Sequence, residues 1–225
     1  MSFEPEIDPA IWRLRPDFVA LSLVVRNARN APADAVSAAM LAAAMDQAAP
    51  WAEAHLESWR EAYRAFGAKP QRTPCSAESL RRRASTLPAV NWLVDAYNAL
   101  SLRYAVPIGG EDLDAYRGNP KLTVAEGGEP FGTVRDGAPA VEPVEAGEVV
   151  WRDEEGVTCR RWNWRQSLRT RLEPHSTAMW FVLERLEPMP VAALEEAGAA
   201  LAAAVRELAP DAEVRSRLLA GPEAR

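Results

Sequence analysis

Cysteine and histidine are both scarce, with two of each in 225 residues. Cys75 and Cys159 form no CxxC pair, which excludes a disulfide scaffold and a cysteine-rich structural zinc site; no metal or other cofactor is expected. His55 sits beside Leu56 and His175 follows Pro174, and neither has a Ser or Cys next to it in a nucleophile motif. Cys159 reads as a small core residue rather than a nucleophile. No apolar run approaches the length of a membrane span. The stretch Met1 to Glu6 carries neither the positive start nor the apolar centre of a secretory signal. The expectation is a cytoplasmic protein without a membrane partner. A basic excess is missing too. Lys and Arg number 26 against 32 Asp and Glu, a net charge of −6. Bulk electrostatic coating of nucleic acid is thereby excluded, and no DNA partner is expected.

What the chain does hold is ordinary for one sizeable domain: 48% apolar and 26% charged residues, with eight tryptophans that read as core filling. Two local basic clusters stand on the acidic background, Arg81-Arg82-Arg83 and Arg160, Arg161, Arg165, Arg169 and Arg171. Phe18 to Val25 predicts a buried strand, and Asp34 to Ala49 an alanine-rich helix. A second helix is expected from Pro50, with Leu56, Trp59, Tyr63 and Phe66 as its apolar stripe and a stop at Gly67. Ser76 is the expected N-cap of a third, with Ser79 at the capping-box position. Lys121–Ala125, Glu148–Asp153, Val157–Trp164 and Met179–Leu186 predict strands, separated by turns at Gly127–Pro130 and Gly137–Pro143. A helix from Pro190 to Leu208 presents Val191, Leu194, Gly198, Leu201 and Val205 on one stripe, and the tail from Pro210 is expected to fray. No internal repeat is visible. Helices, then mainly strands, then a helix make an α+β domain of mixed sheets packed with helices.

Two segments carry candidate chemistry. Between Leu87 and Asp114, Val90, Leu93, Val94, Tyr97 and Leu100 recur at helical spacing, while Asn91, Asp95 and Asn98 form a polar ridge at i, i+4 and i+7. Such a ridge is either solvated or lines a pocket for a polar ligand. In Val157–Arg165, strand alternation puts Cys159, Arg161, Asn163 and Arg165 on one face, with Trp162 and Trp164 on the other. Arginines so placed meet an anion or guard an exposed edge.

The first segment resembles the "NNVVDITNYV…GQPLHAFDLD" stretch of the B3/B4 domain, the editing domain of the phenylalanyl-tRNA synthetase β-subunit. Val90, Asn91, Val94, Asp95, Asn98, Pro107, Asp112, Leu113 and Asp114 fit that pattern without a gap. Trp59-Arg60-Glu61-Ala62-Tyr63, Phe66-Gly67 and Ser76-Ala77-Glu78 upstream are similar to free-standing members of the family. So are Gly118, Gly128-Glu129, Gly147-Glu148 and Cys159 to Arg165 downstream. The resemblance runs from Trp59 to Glu187. It divides the chain into an N-terminal strand and Ala-rich helices (1–58) integrated with the core, a B3/B4-like core (59–187), and a C-terminal helix and tail (188–225).

The resemblance implies a free-standing protein that hydrolyses mischarged aminoacyl-tRNA in trans, with RNA binding at the acceptor end. The chain is too short to hold an aminoacylation domain beside this module. Asn98 matches the family's pocket asparagine, and Tyr97 replaces the preceding threonine. Gly109 falls where the family has its editing histidine, and Glu111 where it has a phenylalanine. Beyond Arg165 the register loosens, and Glu184 stands as a candidate, not a carried-over residue, for the family's editing glutamate. In this reading Asn91, Asp95 and Asn98 orient the ammonium group, the ester or the attacking water. Arg161, Asn163 and Arg165 meet the terminal ribose-phosphate, or Trp162 stacks on the terminal adenine if the strand faces are reversed. A rival reading keeps the fold and loses the reaction, leaving a silent binder of tRNA or amino acid, for which Gly109 is the best argument. A third is an interaction protein that oligomerises through its Ala-rich helices. The sequence leaves the amino acid, the tRNA and the oligomeric state open.

Overall fold

The computed structural model describes residues 3–45 and 47–222. Along these residues the chain runs β1 (Glu6–Ile7), α1 (Pro9–Leu14), β2 (Val19–Arg26), α2 (Ala35–Ala44), α3 (Ala52–Ala65), α4 (Ser76–Arg82) and α5 (Trp92–Tyr104). There follow β3 (Ile108–Asp112), β4 (Lys121–Val124), β5 (Pro130–Arg135), β6 (Ala138–Pro143), β7 (Val149–Arg152), β8 (Val157–Arg160) and β9 (Arg165–Gln166). β10 (Met179–Arg185), α6 (Val191–Leu208) and β11 (Glu213–Ala220) complete the order. No helix among the described residues is long and apolar enough to cross a membrane.

Local chemistry sets the helix ends. Asp8 caps α1, and Asp34 caps α2 in a reciprocal box with Ser37. α2 stops at Ala44, short of the expected Ala49, and α3 begins at Ala52 with Trp51 as its N-cap. Ser76 is not a cap. It is the first residue of α4, preceded by Cys75 with no side-chain cap, and the hydroxyl is left without a partner.

β11, β2, β10 and β3 form one antiparallel sheet in that order. β10 is its spine: Met179 to Arg185 pairs with Val25 to Val19 on one side, and Met179 to Leu183 with Asp112 to Ile108 on the other. The tail expected to fray is therefore a full strand, Glu213–Ala220 held against β2. The second sheet runs β1-β4-β7-β8-β5-β6, with β9 on the flank of β8. Its β5–β6 hairpin occupies the stretch expected to be turns. Asp136 and Gly137, both at positive φ, make the two-residue turn, and Pro139 and Pro143 are tolerated because β6 is an edge.

Two cores result from the period-two alternation of β10. Met179, Phe181 and Leu183 face α5 and α6; Trp180 and Val182 face the second sheet and α3. Trp59, Trp151, Trp162 and Trp180 are fully buried in that second core. Each takes on the order of 200 Å² out of water, worth about 5 kcal/mol. His55 works there as a structural group. One ring nitrogen meets the Ala105 carbonyl at 2.8 Å, and Nε2 accepts from the Trp59 indole and the Leu186 amide, both at 3.1 Å. Burial holds its pKa down at about 4, so the ring stays neutral.

Candidate functional site

Gly109 and Glu111 alternate on β3, and Val182 and Glu184 on β10, so all four belong to the face turned toward the second sheet. Above that face α4, α5, β7, β8 and the 161–164 turn leave a cavity of about 240 Å³. Gly109 lies on its floor, where an added Cβ would meet only Val182 Cγ1 at 3.4 Å.

Two carboxylates flank this floor. Glu184 is fixed at both oxygens, by the Trp151 indole at 2.9 Å and the Asn163 amide at 2.9 Å. Asn163 is held in turn by the Tyr63 hydroxyl on its Oδ1, at 2.9 Å. Glu111 accepts from Tyr116. Burial raises both carboxyls to about 7; hydrogen bonds from neutral donors pull them back only in part, the Glu111 charge raises Glu184 further, and the Arg169 charge lowers Glu111. The Trp162 indole N–H faces Glu184 from the wall without closing a hydrogen bond of normal geometry. Burial also drives the Cys159 thiol well above its ordinary pKa, which makes it a neutral wall residue and not a nucleophile.

The polar ridge of α5 divides. Asn91 is the N-cap of the helix: its Oδ1 accepts from Val94 N at 3.0 Å and from Asn30, and its amide reaches the Leu172 carbonyl. Asp95 is fully buried against α2, accepting from the Ser37 hydroxyl at 3.0 Å and the Val90 amide at 2.9 Å. Neither lines the cavity. Asn98 does, half-buried and with no side-chain hydrogen bond among the described residues. Tyr97 stands beside it on the same wall.

The second segment folds differently from an even strand. β8 ends at Arg160, and Arg161 and Trp162 take positive φ of 47° and 65° before β9 begins. Glu148 holds this turn, gripping Arg160 at 2.9 and 2.8 Å and accepting from the Arg161 amide at 3.0 Å. The turn breaks the alternation. Trp162 drops into the core, edge-on to Trp59 and Phe18, where no base can stack on it. Asn163 turns inward to Glu184. Trp164 is the ring at the rim of the cavity, with the Arg161 and Arg165 guanidinium groups over it at 4.5 and 4.6 Å. Arg165 is exposed and makes no ion pair among the described residues. Arg83, also at the rim, leans on Ser79.

The cavity thus unites Asn98, Tyr97, Gly109, Trp162 and Asn163, with Arg161 and Arg165 beside its mouth. Sequence reasoning underused Glu111 and missed Trp151, Trp164 and Gln166 as wall residues. One available signal was the glutamate inside MWFVLER: a carboxylate in an otherwise apolar strand is buried for a reason. No group of three or more His, Cys, Asp or Glu arranged to hold a metal occurs among the described residues.

Comparison with known proteins adds two findings. The model of the B3/4 domain family matches residues 58–201. The structure is similar to an N-terminal fragment of the phenylalanyl-tRNA synthetase β-subunit from Pyrococcus horikoshii, with a TM-score of 0.54 and 12% identity. That likeness covers 96% of this chain and 51% of the archaeal fragment, so the chain spans about half the length of its neighbour. At that identity it shows a shared fold. No curated protein matches the sequence.

Proposed function

The chain belongs to the B3/4 domain family, and on that premise we propose that it is an aminoacyl-tRNA hydrolase acting in trans on mischarged tRNA. The observation that carries the reading is the pairing of a partly open cavity of mixed polar and apolar lining with a carboxylate, Glu184, raised to about 7 and held by Trp151 and Asn163. A base with that value is half ionised at neutral pH, which suits proton transfer. In this mechanism Glu184 takes a proton from water as its oxygen adds to the ester carbonyl. The carbon–oxygen bond to the ribose then breaks, and the proton passes to the departing ribose oxygen. The products are a free amino acid and uncharged tRNA. Asn98, with both amide atoms free, orients the ester or the water. An aminoacyl ester is already activated, so positioning does most of the work and the absent histidine at Gly109 is not disabling.

Trp164 and the guanidinium groups of Arg161 and Arg165 supply the acceptor-end contact at the mouth. A ring flanked by cations offers a stacking face to the terminal adenine and donors to the last phosphates. Arg83 adds a fourth group to the rim. Asn91 and Asp95 serve this reading by fixing α5, not by touching substrate.

Gly109 and the acidic net charge favour the second reading, a silent binder of the same ligand. A panel of radiolabelled aminoacyl-tRNAs, tyrosyl-tRNA specific for phenylalanine included, separates the two by loss of the ester. The deacylase reading expects selective hydrolysis that falls on the order of 10²-fold in Glu184→Gln or Asn98→Ala. Retention of every ester by a folded protein would leave the silent binder.

A further inference from the structure

We propose that the cavity selects an amino acid carrying a second, side-chain cation, with the reacting ester at the Glu184 end and Glu111 at the distal cation. The proposal deepens the deacylase reading and rests on it for the ester end.

The argument begins with spacing. Glu111 pairs in register with Trp180, and Glu184 lies four residues further along β10 on the same face. At about 3.3 Å per residue their Cα atoms stand roughly 13 Å apart along the strand direction. Both residues line the cavity, and the gap between them is of the order of an extended diamino acid. What lies between is Gly109 and Val182, an apolar floor without a side chain at one position, suited to the methylenes of such a chain.

Charge points the same way. Both carboxylates are buried and neither is paired with a cation. The guanidinium of Arg169, the nearest cation felt by Glu111, is committed to Asp153 at 2.7 and 3.0 Å. Arg83 is the one cation on the lining, and it sits exposed at the rim against Ser79. Buried carboxylates ordinarily find a cation or a metal. Here the wall supplies instead the rings of Tyr97, Trp151 and Trp164, surfaces that favour an ammonium group over a neutral side chain.

A second kind of observation marks the space as a ligand site. The indole N–H of Trp162, a residue wholly buried on this wall, closes no hydrogen bond of normal geometry among the described residues, and neither does the buried hydroxyl of Ser76 on the same lining. Both can donate to an acceptor such as an ester carbonyl. An aminoacyl ester with two cationic groups and one carbonyl answers all of these groups together.

The test uses L-lysinamide, L-norleucinamide and L-phenylalaninamide, which present an α-ammonium and a carbonyl but resist hydrolysis as esters do not. Binding is measured by titration calorimetry at pH 8, with a parallel deacylation panel that includes lysyl-tRNA. Lysinamide is expected to bind about tenfold or more tighter than norleucinamide, the order of one charge-assisted hydrogen bond. Glu111→Gln keeps the side-chain shape and an acceptor for Tyr116, and should erase that difference. Equal binding of the two amides, or preference for the neutral one, overturns the proposal. Hydrolysis confined to neutral aminoacyl esters would sink this inference and leave the deacylase reading standing. Tight lysinamide binding with no ester cleaved by the folded protein would do the reverse. Absence of both binding and cleavage removes the two together.

Discussion

A carboxylate among indoles is held off from its charged form, and that single fact links stability to chemistry at Glu184 and Glu111. Both folded-state pKa values are raised from 4.5 to about 7. Between those values the folded protein keeps protons that the unfolded chain has released, so the associated stability is complete below about 4.5. It is lost as pH rises through 7. Glu184→Gln or Glu111→Gln should therefore raise unfolding stability at pH 8 by up to about 3 kcal/mol, from 1.36 kcal/mol per pKa unit. The gain should vanish by pH 4.5, and the double variant should gain less than the sum because the two titrations are coupled. Urea melts at pH 4.5, 6 and 8 measure this directly. A gain independent of pH would mean that packing, not ionisation, separates Glu from Gln here. Activity gives the counterpart: the hydrolysis rate of the parent protein should climb with pH through 7 as Glu184 releases its proton.

Helix α6 and the sheet beneath it meet at a glycine. A Cβ on Gly198 would lie 2.1 Å from Leu21 Cδ2, so a side chain there would force Leu21 to turn away or α6 to lift from β2. Gly198→Val should destabilise by about 1–3 kcal/mol, the usual range for overpacking, read as a lower thermal midpoint. An unchanged midpoint would show that α6 can shift away freely. The 161–164 turn is the other element whose geometry decides function. Its positive-φ pair sends Trp162 inward and leaves Trp164 outward, although both occupy the same parity in sequence. Alternation put the two indoles on one face and gave Trp162 the adenine contact only with the faces reversed; it could not separate the rings, since period-two reasoning has no means to see a reversal of backbone hand. The N-cap role of Asn91 was hidden in the same way: i, i+4, i+7 spacing describes a stripe, but the first member stands outside the helix and closes its end.

On the whole molecule the charge is negative, and most arginines of the two basic clusters are already engaged: Arg82 with Glu78, Arg160 and Arg161 with Glu148, Arg169 with Asp153 and Arg171 with Glu173. Few remain to meet phosphate. Binding of tRNA should therefore be weakly salt-dependent, and Arg165→Ala should reduce the slope of log affinity against log salt by about one or less. A steep slope that Arg165→Ala leaves untouched would place the RNA on another face. The sequence determined the α+β class, the long strands β2 and β10, helices α3, α5 and α6, and the family through the Val90–Asp114 string, because each is written in local periodicity or local residue order. It also supplied Asn98 and Asn163. Tertiary structure alone decided that β11 pairs with β2, since the sparse alternation of Val214, Leu218 and Ala220 with charged residues does not name the strand it joins. It alone brought Glu111 and Glu184 to one cavity across adjacent strands, 73 positions apart in the chain (184 minus 111). Burial is a property of the assembled layers, and the two protonation states that define this site exist only once those layers have excluded water.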